Sequence, residues 1–437
     1  MQQTILLGLN ELNFDFVRYY VKQGKLPVFK SLLEQYQLIE TESEKEYHLL
    51  EPWIQWVTIH TGLTYGEHQI FRLGDITNNK HIPQLWEIIE KQGLSVGAVS
   101  PFNADNRLKN PSFFVPDPWT RTETSGSWLV KRLSAAVQQM VNDNAQSKLS
   151  LSSIISLLLG AVAFTSVKSW PAYFKLAIQL RKPGTSAIIL DKLLGDVFIS
   201  LWKKERPNFG SIFLNTGAHL QHHYLFNSQA YNGKFENPTW YCPKDYDPLE
   251  RILVEYDNFI GRLLDLNVKL IIATGLHQKP HKHLTYYWRL KSHQSFLEKI
   301  GIQGLTEVLP RMSRDMLLNF DNTKSAAKAE AILASYKSQK DDLPIFTIDN
   351  RGTSLFVELT YPNEIDDSFA IISTIAPTIE NFKREIAFVA IKNGEHDGIG
   401  YVLSNFSPSF DEKIIPLKNV FSFITETVLG RVAQKTA

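Results

Sequence analysis

The chain holds a single cysteine, Cys242, among 437 residues. This excludes a disulfide framework and a thiolate zinc site, and it suits a reducing compartment. Neither sign of charge is in excess: 46 Lys and Arg against 45 Asp and Glu leave +1. No global field therefore draws the chain to nucleic acid or to an anionic membrane. Long apolar runs are scarce as well. The one from Ile154 to Phe164 is too short to cross a bilayer; a buried helix is expected there, with a hydrophobic lid as the other reading. The opening Met1-Gln2-Gln3 is uncharged and no small-residue cleavage site follows, so Thr4 to Leu9 reads as a first strand and not as a signal peptide. Internal repeats and low-complexity linkers are missing too. The expectation is a cytoplasmic protein with no transmembrane segment and no nucleic-acid partner, acting on a small molecule or a glycan.

What is present is an ordinary globular balance, 43% hydrophobic and 21% charged. The length suits one large α/β domain with insertions, or two domains. After the strand 4–9 come a helix through Phe16, Val17 and Tyr20, a Gly24-Lys25-Leu26-Pro27 break and a second helix through Leu32-Leu33. Leu85 to Ile89 reads as a helix closed by Gly93, and Ser95 to Ser100 as the next strand. Ser211 to Asn215 and Val268 to Ala273 are further buried strands, with an amphipathic helix from Pro248 to Leu266 between them. This strand–helix–strand rhythm predicts a mostly parallel central sheet covered by helices on both faces. Residues 121–205 turn helical and read as an insertion, and 291–380 as a small α+β cap. The core is then 1–120, 206–290 and 381–437.

Two features point to chemistry. Glu51-Pro52 starts a short helix through Trp56 and Ile59, placing a carboxylate and free backbone N–H groups together. Three histidines, His222, His277 and His396, each follow a core strand or sit in a Gly-flanked loop. In a parallel sheet such ends converge on one edge, so remote segments can build one site. Each imidazole is a ligand, an acid or base, or a polar clamp according to its neighbours. Glu11, Glu51 and Asp397 are the carboxylates able to join them, with His219 and His223 beside the first. Asn10 and Asn13 alone read as turn chemistry. Trp53, Trp56 and Tyr241 offer apolar faces for a sugar ring, although Trp56 suits the core better.

The order of these segments resembles the alkaline phosphatase superfamily, in particular its type I phosphodiesterase/nucleotide pyrophosphatase branch. The residues that carry the resemblance begin with Gly8-Leu9-Asn10-Glu11, Gly24-Lys25-Leu26-Pro27, and Trp56 to Leu63 followed by Glu67-His68. They continue with Ala218 to His222, Thr274 to His277, and Gly394-Glu395-His396-Asp397-Gly398. The likeness covers most of the core but not the insertion or the cap. It implies an alkaline-phosphatase-like α/β fold and two metal ions held by Asp and His around a Thr, Ser or Cys nucleophile.

The chemistry departs from that pattern. The opening-strand Asp falls on Asn10 and the nucleophile on Pro52. The Asp-x-x-x-His becomes Ala218 to His222, and the Asp-His pair becomes Leu276-His277. The acids are gone while the histidines remain. This argues against the family's two-metal centre and leaves room for a single divalent ion, held by His222, His277 and His396 if one is kept. The expected activity is a hydrolase or transferase cleaving a phosphoester, phosphodiester or glycosyl bond. Glu51 and Glu11 would be acid/base or nucleophile, and His222, His277 and His396 would assist. Asn10, Trp53, Gln55, His219 and Gln278 would bind substrate. The alternative is a catalytically silent relative that binds a glycan or a nucleotide.

Overall fold

The computed structural model describes residues 2–142, 150–310, 314–408, 410 and 412–430. Two compact units emerge: residues 1–280 with 394–437, and residues 281–393. The second contains the stretch read as a cap.

The first unit is built on an eight-stranded sheet. Across it lie Ile414–Pro416, Ile39–Glu42, Ile399–Ser404, Lys269–Ala273, Thr4–Leu9, Phe209–Leu214, Val96–Val99 and Phe113–Val115. Ile399–Ser404 runs against both of its neighbours, and the other adjacent strands pair parallel. The sheet is thus mostly parallel, as the strand–helix rhythm predicts. Every residue of Thr4–Leu9 and Phe209–Leu214 is buried, which is why both read as unbroken apolar runs and not as alternating ones.

Register decides where the site forms. Leu9 lies opposite Leu214 and Gly8 opposite Ala273, so three parallel strands end almost level. Asn10-Glu11, Asn215 and Thr274 emerge side by side. The reversed strand starts at that same edge, since Val402 lies opposite Ala273, and the segment 394–398 leads into it. One strand of opposite sense therefore brings the late histidine to the ends of the others.

The flanking helices follow local rules. Pro248–Leu264 is capped by the Asp247 carboxylate, which accepts from the N–H of Leu249 and of Glu250, each at 3.0 Å. It buries Leu249, Ile252, Leu253, Tyr256 and Ile260 on one stripe. Pro52–Thr61 starts with Pro after the N-cap Glu51 and stops at Gly62, whose φ of 73° is left-handed. Trp56 is a core residue, 1% exposed, with its ring edge-on to Phe213. The helix Asn419–Leu429, which buries Val420, Phe423, Ile424 and Val428, is an element the strand–helix reading passes over.

The apolar run after Ser150 differs from expectation. The helix Leu151–Phe164 is not buried: it turns Ser153, Ser156 and Gly160 inward and leaves Leu158 62% and Val162 64% exposed. The reason is its seat on the helix Trp128–Asn142. A Cβ on Gly160 would lie 2.7 Å from Leu133, and the Ser150 and Ser153 hydroxyls both bond the Gln139 side chain. The small and polar face makes the contact, so the aliphatic face is left outside.

The second unit holds a four-stranded antiparallel sheet in the order Phe346–Asn350, Ser354–Leu359, Asp315–Phe320 and Leu305–Pro310. The helix Thr323–Ala334 packs on it. The strands His277–Leu290 and Ile386–Asp397 pair with each other and carry the chain out of the first unit and back.

Candidate functional site

Glu11 is the centre of the sheet edge. It is 2% exposed and adopts φ +54°, a left-handed conformation that costs a non-glycine residue about 1–3 kcal/mol and tends to be kept at functional positions. Surrounding hydrogen bonds hold it there. Its N–H donates to the Thr274 carbonyl at 3.0 Å, and its carbonyl accepts from Gln221 Nε2 at 2.9 Å.

The carboxylate is fully engaged. Oε1 accepts from Asn10 Nδ2 at 3.0 Å, and Oε2 accepts from Gln278 Nε2 at 2.5 Å. Oε2 also lies 3.0 Å from His222 Nε2 and 3.2 Å from His396 Nε2. The two imidazole nitrogens are 3.3 Å apart. Burial alone would push the Glu11 carboxyl up. The charges of His396 and His222 outweigh it and hold the group well below the usual carboxylate range.

A supporting layer fixes this group. Trp56 Nε1 donates to Asn10 Oδ1 at 2.8 Å, and Asn10 Nδ2 also donates to Asn215 Oδ1 at 2.8 Å. Gln278 Nε2 spends its second hydrogen on the Ala218 carbonyl at 3.0 Å. Gln221 Oε1 accepts from the Asn13 N–H, and Asn13 Nδ2 donates to the Gln278 carbonyl. Gly394 makes room for Gln278, because a Cβ there would lie 2.0 Å from Gln278 Oε1. Sequence reasoning passed over Gln221, Asn215 and the polar role of Trp56. Their one signal was position, each lying at or just past a strand end or in the helix that abuts it.

The remaining expected residues divide. Glu51 comes within 3.8 Å of His396 Nδ1, so His396 has a carboxylate at each ring nitrogen. His277 stays outside the triad, its Nδ1 only 2.6 Å from the Ile399 carbonyl oxygen. Asp397 pairs with Lys279 at 3.0 Å. His219 is exposed, its ring 4.8 Å from that of His223. Trp53, half-buried, donates its Nε1 proton to the Phe71 carbonyl, and Gln55, buried, donates to the Leu49 carbonyl. The Glu11–His222–His396 triad thus has support from Asn10 and Gln278 and a neighbour in Glu51, while His277, Trp53 and Gln55 bond elsewhere and His219 lies against the His223 ring.

The triad suits one metal ion. Tetrahedral zinc with ligands at about 2.0–2.1 Å needs neighbouring donor atoms roughly 3.3–3.4 Å apart. The donor atoms of Glu11, His222 and His396 are separated by 3.0, 3.2 and 3.3 Å, and among the described residues they form the one group of three such donors. An ion there would displace any proton from the two Nε2 atoms, and these with one carboxylate would supply three of the donors a tetrahedral ion takes.

No protein-family model matches the chain, nor does any curated protein. Solved structures similar to it include phosphonoacetate hydrolase from Sinorhizobium meliloti 1021 in complex with phosphonoformate. That match has 11% identity and a TM-score of 0.44, over 98% of this chain and 95% of that one. Murine ectonucleotide pyrophosphatase/phosphodiesterase 5 matches with 12% identity and a TM-score of 0.44, over the same shares. Its inactive variant in complex with AMP matches with 12% identity and a TM-score of 0.43, over 100% of this chain and 97% of that one.

Proposed function

We propose that this chain is a divergent member of the alkaline phosphatase superfamily. It acts as a hydrolase or transferase on a phosphoester, phosphodiester or glycosyl bond of a small polar or glycan substrate, with a one-ion site in place of the two-metal centre. One observation carries the reading: Glu11, His222 and His396, from three remote segments, bring their donor atoms within 4.8 Å of one another. The order of motifs from Gly8 to Gly398 supports it.

Glu11 and the two imidazoles would hold the cation, whose chemistry there would be Lewis-acid polarisation of a substrate oxygen and a lowered pKa for water. Asn10 and Gln278 keep the Glu11 carboxylate from turning. Glu51 faces His396 Nδ1 and favours a proton at that nitrogen, which leaves Nε2 as the donor atom. Pro52 stands where the superfamily has its nucleophile and has no atom to attack with. In hydrolysis, water would attack the reacting atom as its bond to the leaving oxygen breaks, and Glu51, the carboxylate of the pair with 31% of its side chain exposed, is placed to take the water's proton and return it to that oxygen.

The test is metal analysis of protein purified without chelator, with a screen of nitrophenyl phosphates, phosphodiesters and glycosides. The expected result is one equivalent of zinc or a similar ion, lost in Glu11→Gln. Glu51→Gln should keep the ion and lower turnover by roughly 10²-fold or more, the usual contribution of a general base. Two equivalents of metal, or activity untouched in both variants, would overturn the proposal. Pro52 favours a second reading, a catalytically silent relative that binds a glycan or nucleotide. It predicts no turnover, with ligand-dependent thermal stabilisation.

A further inference from the structure

The helix Leu151–Phe164 and the segment that follows it present an outward apolar surface that none of the described residues covers. On the helix, Leu151, Leu158 and Val162 are 74%, 62% and 64% exposed. Ile154, Ile155 and Leu159 complete that stripe at the i, i+3, i+4 spacing of a helix face. After a sharp bend of 114° the chain continues through Val167 into the helix Trp170–Ile178, where Phe174 and Ile178 are 70% and 71% exposed. A helix on the surface of a globular protein normally turns its aliphatic stripe to the core. Here the seating of Gly160 and the serines on the neighbouring helix inverts that, so the exposure is built in. A contiguous patch of this kind marks an interaction surface.

Charge identifies what covers it. No Asp or Glu occurs from residue 144 to 190, a stretch with five basic residues, of which Lys168, Lys175, Arg181 and Lys182 are exposed among the apolar side chains. A second copy docked through this face by a two-fold axis would bring both sets of cations into one interface, with no acid from this stretch to pair them. An anionic lipid surface meets both features at once, since aliphatic chains enter the acyl boundary while Lys and Arg reach the headgroups. Trp170, 40% exposed, has the amphipathic ring found at that depth. Neither helix spans: fourteen residues cover only about 21 Å, against roughly 30 Å of hydrocarbon. We propose that this bent helical pair docks the protein in the plane of an anionic membrane, on one leaflet.

The experiment uses the full chain with vesicles of phosphatidylcholine alone and of phosphatidylcholine mixed with phosphatidylglycerol. The protein should co-sediment with the mixed vesicles, less with the neutral ones, and less again at high salt. Leu158→Glu with Phe174→Glu should abolish binding. Lys168→Gln with Lys175→Gln should weaken it roughly 25-fold, at about a factor of five per cation. Cys242 is buried, so a polarity-sensitive dye on Val162→Cys reports this face, and its emission should shift blue on the mixed vesicles. Absence of sedimentation with either composition would refute the proposal. So would a dimer that dissolves in Leu158→Glu, which would assign the face to a second copy. The readout does not depend on the Glu11 site.

Discussion

Asn10 shows how one atom decides the character of the site. Its Nδ2 supplies hydrogens to Glu11 Oε1 and to Asn215 Oδ1; an Asp there has none to give and adds a second negative charge beside Glu11. Asn10→Asp should lower stability by about 1–3 kcal/mol in chelator, read by urea unfolding. Part of that loss should return with excess zinc, because the added carboxylate is a further donor. His60 gives a cleaner test of burial. It is 3% exposed between Trp56 and Trp86, and burial pushes its pKa down to about 3. Unfolded, it takes a proton near pH 6.5; folded, it does not. Between these limits the unfolded chain binds more protons, so stability rises with pH, is complete above 6.5 and is lost as the pH falls. Relative to His60→Gln, the wild type should lose about 1.4 kcal/mol per pH unit from 6.5 toward 4, measured by denaturation across that range.

At the scale of elements, the close approach of two chain segments matters more than any helix propensity. Gly394 passes Gln278 with no room for a side chain, and its would-be Cβ lies 2.9 Å from the Gln221 carbonyl as well. Gly394→Ala should cost about 1–3 kcal/mol through overpacking. It should also weaken metal binding 10- to 100-fold, because Gln278 is the donor that steadies Glu11; calorimetric titration with zinc checks this. Sequence spacing located most helices and strands of the first unit, because amphipathic stripes and unbroken buried strands are local patterns. It missed the orientation of Leu151–Phe164, since which face of an apolar helix turns inward depends on the neighbour. Gly160 against Leu133 settled that.

For the whole molecule, the triad ties segments near residues 11, 222 and 396 into one edge, so an ion held there bridges the fold. At a zinc concentration 100 times its dissociation constant, unfolding should cost about 2.7 kcal/mol more than in chelator. Thermal melting with and without chelator reads this, and Glu11→Gln should lose the difference. A wild-type melting curve indifferent to zinc would place the imidazoles in plain ion pairs with Glu11.

The sequence by itself determined the mostly parallel α/β core and the approximate strand ends. These are written in residue types and local periodicity. The tertiary structure alone decided which histidines share a site. His222 and His396 converge on Glu11 because three parallel strands end level and one reversed strand begins beside them, while the His277 ring turns to the Ile399 carbonyl. Register and side-chain direction at a strand end are set by partners hundreds of residues away, and no local pattern encodes them.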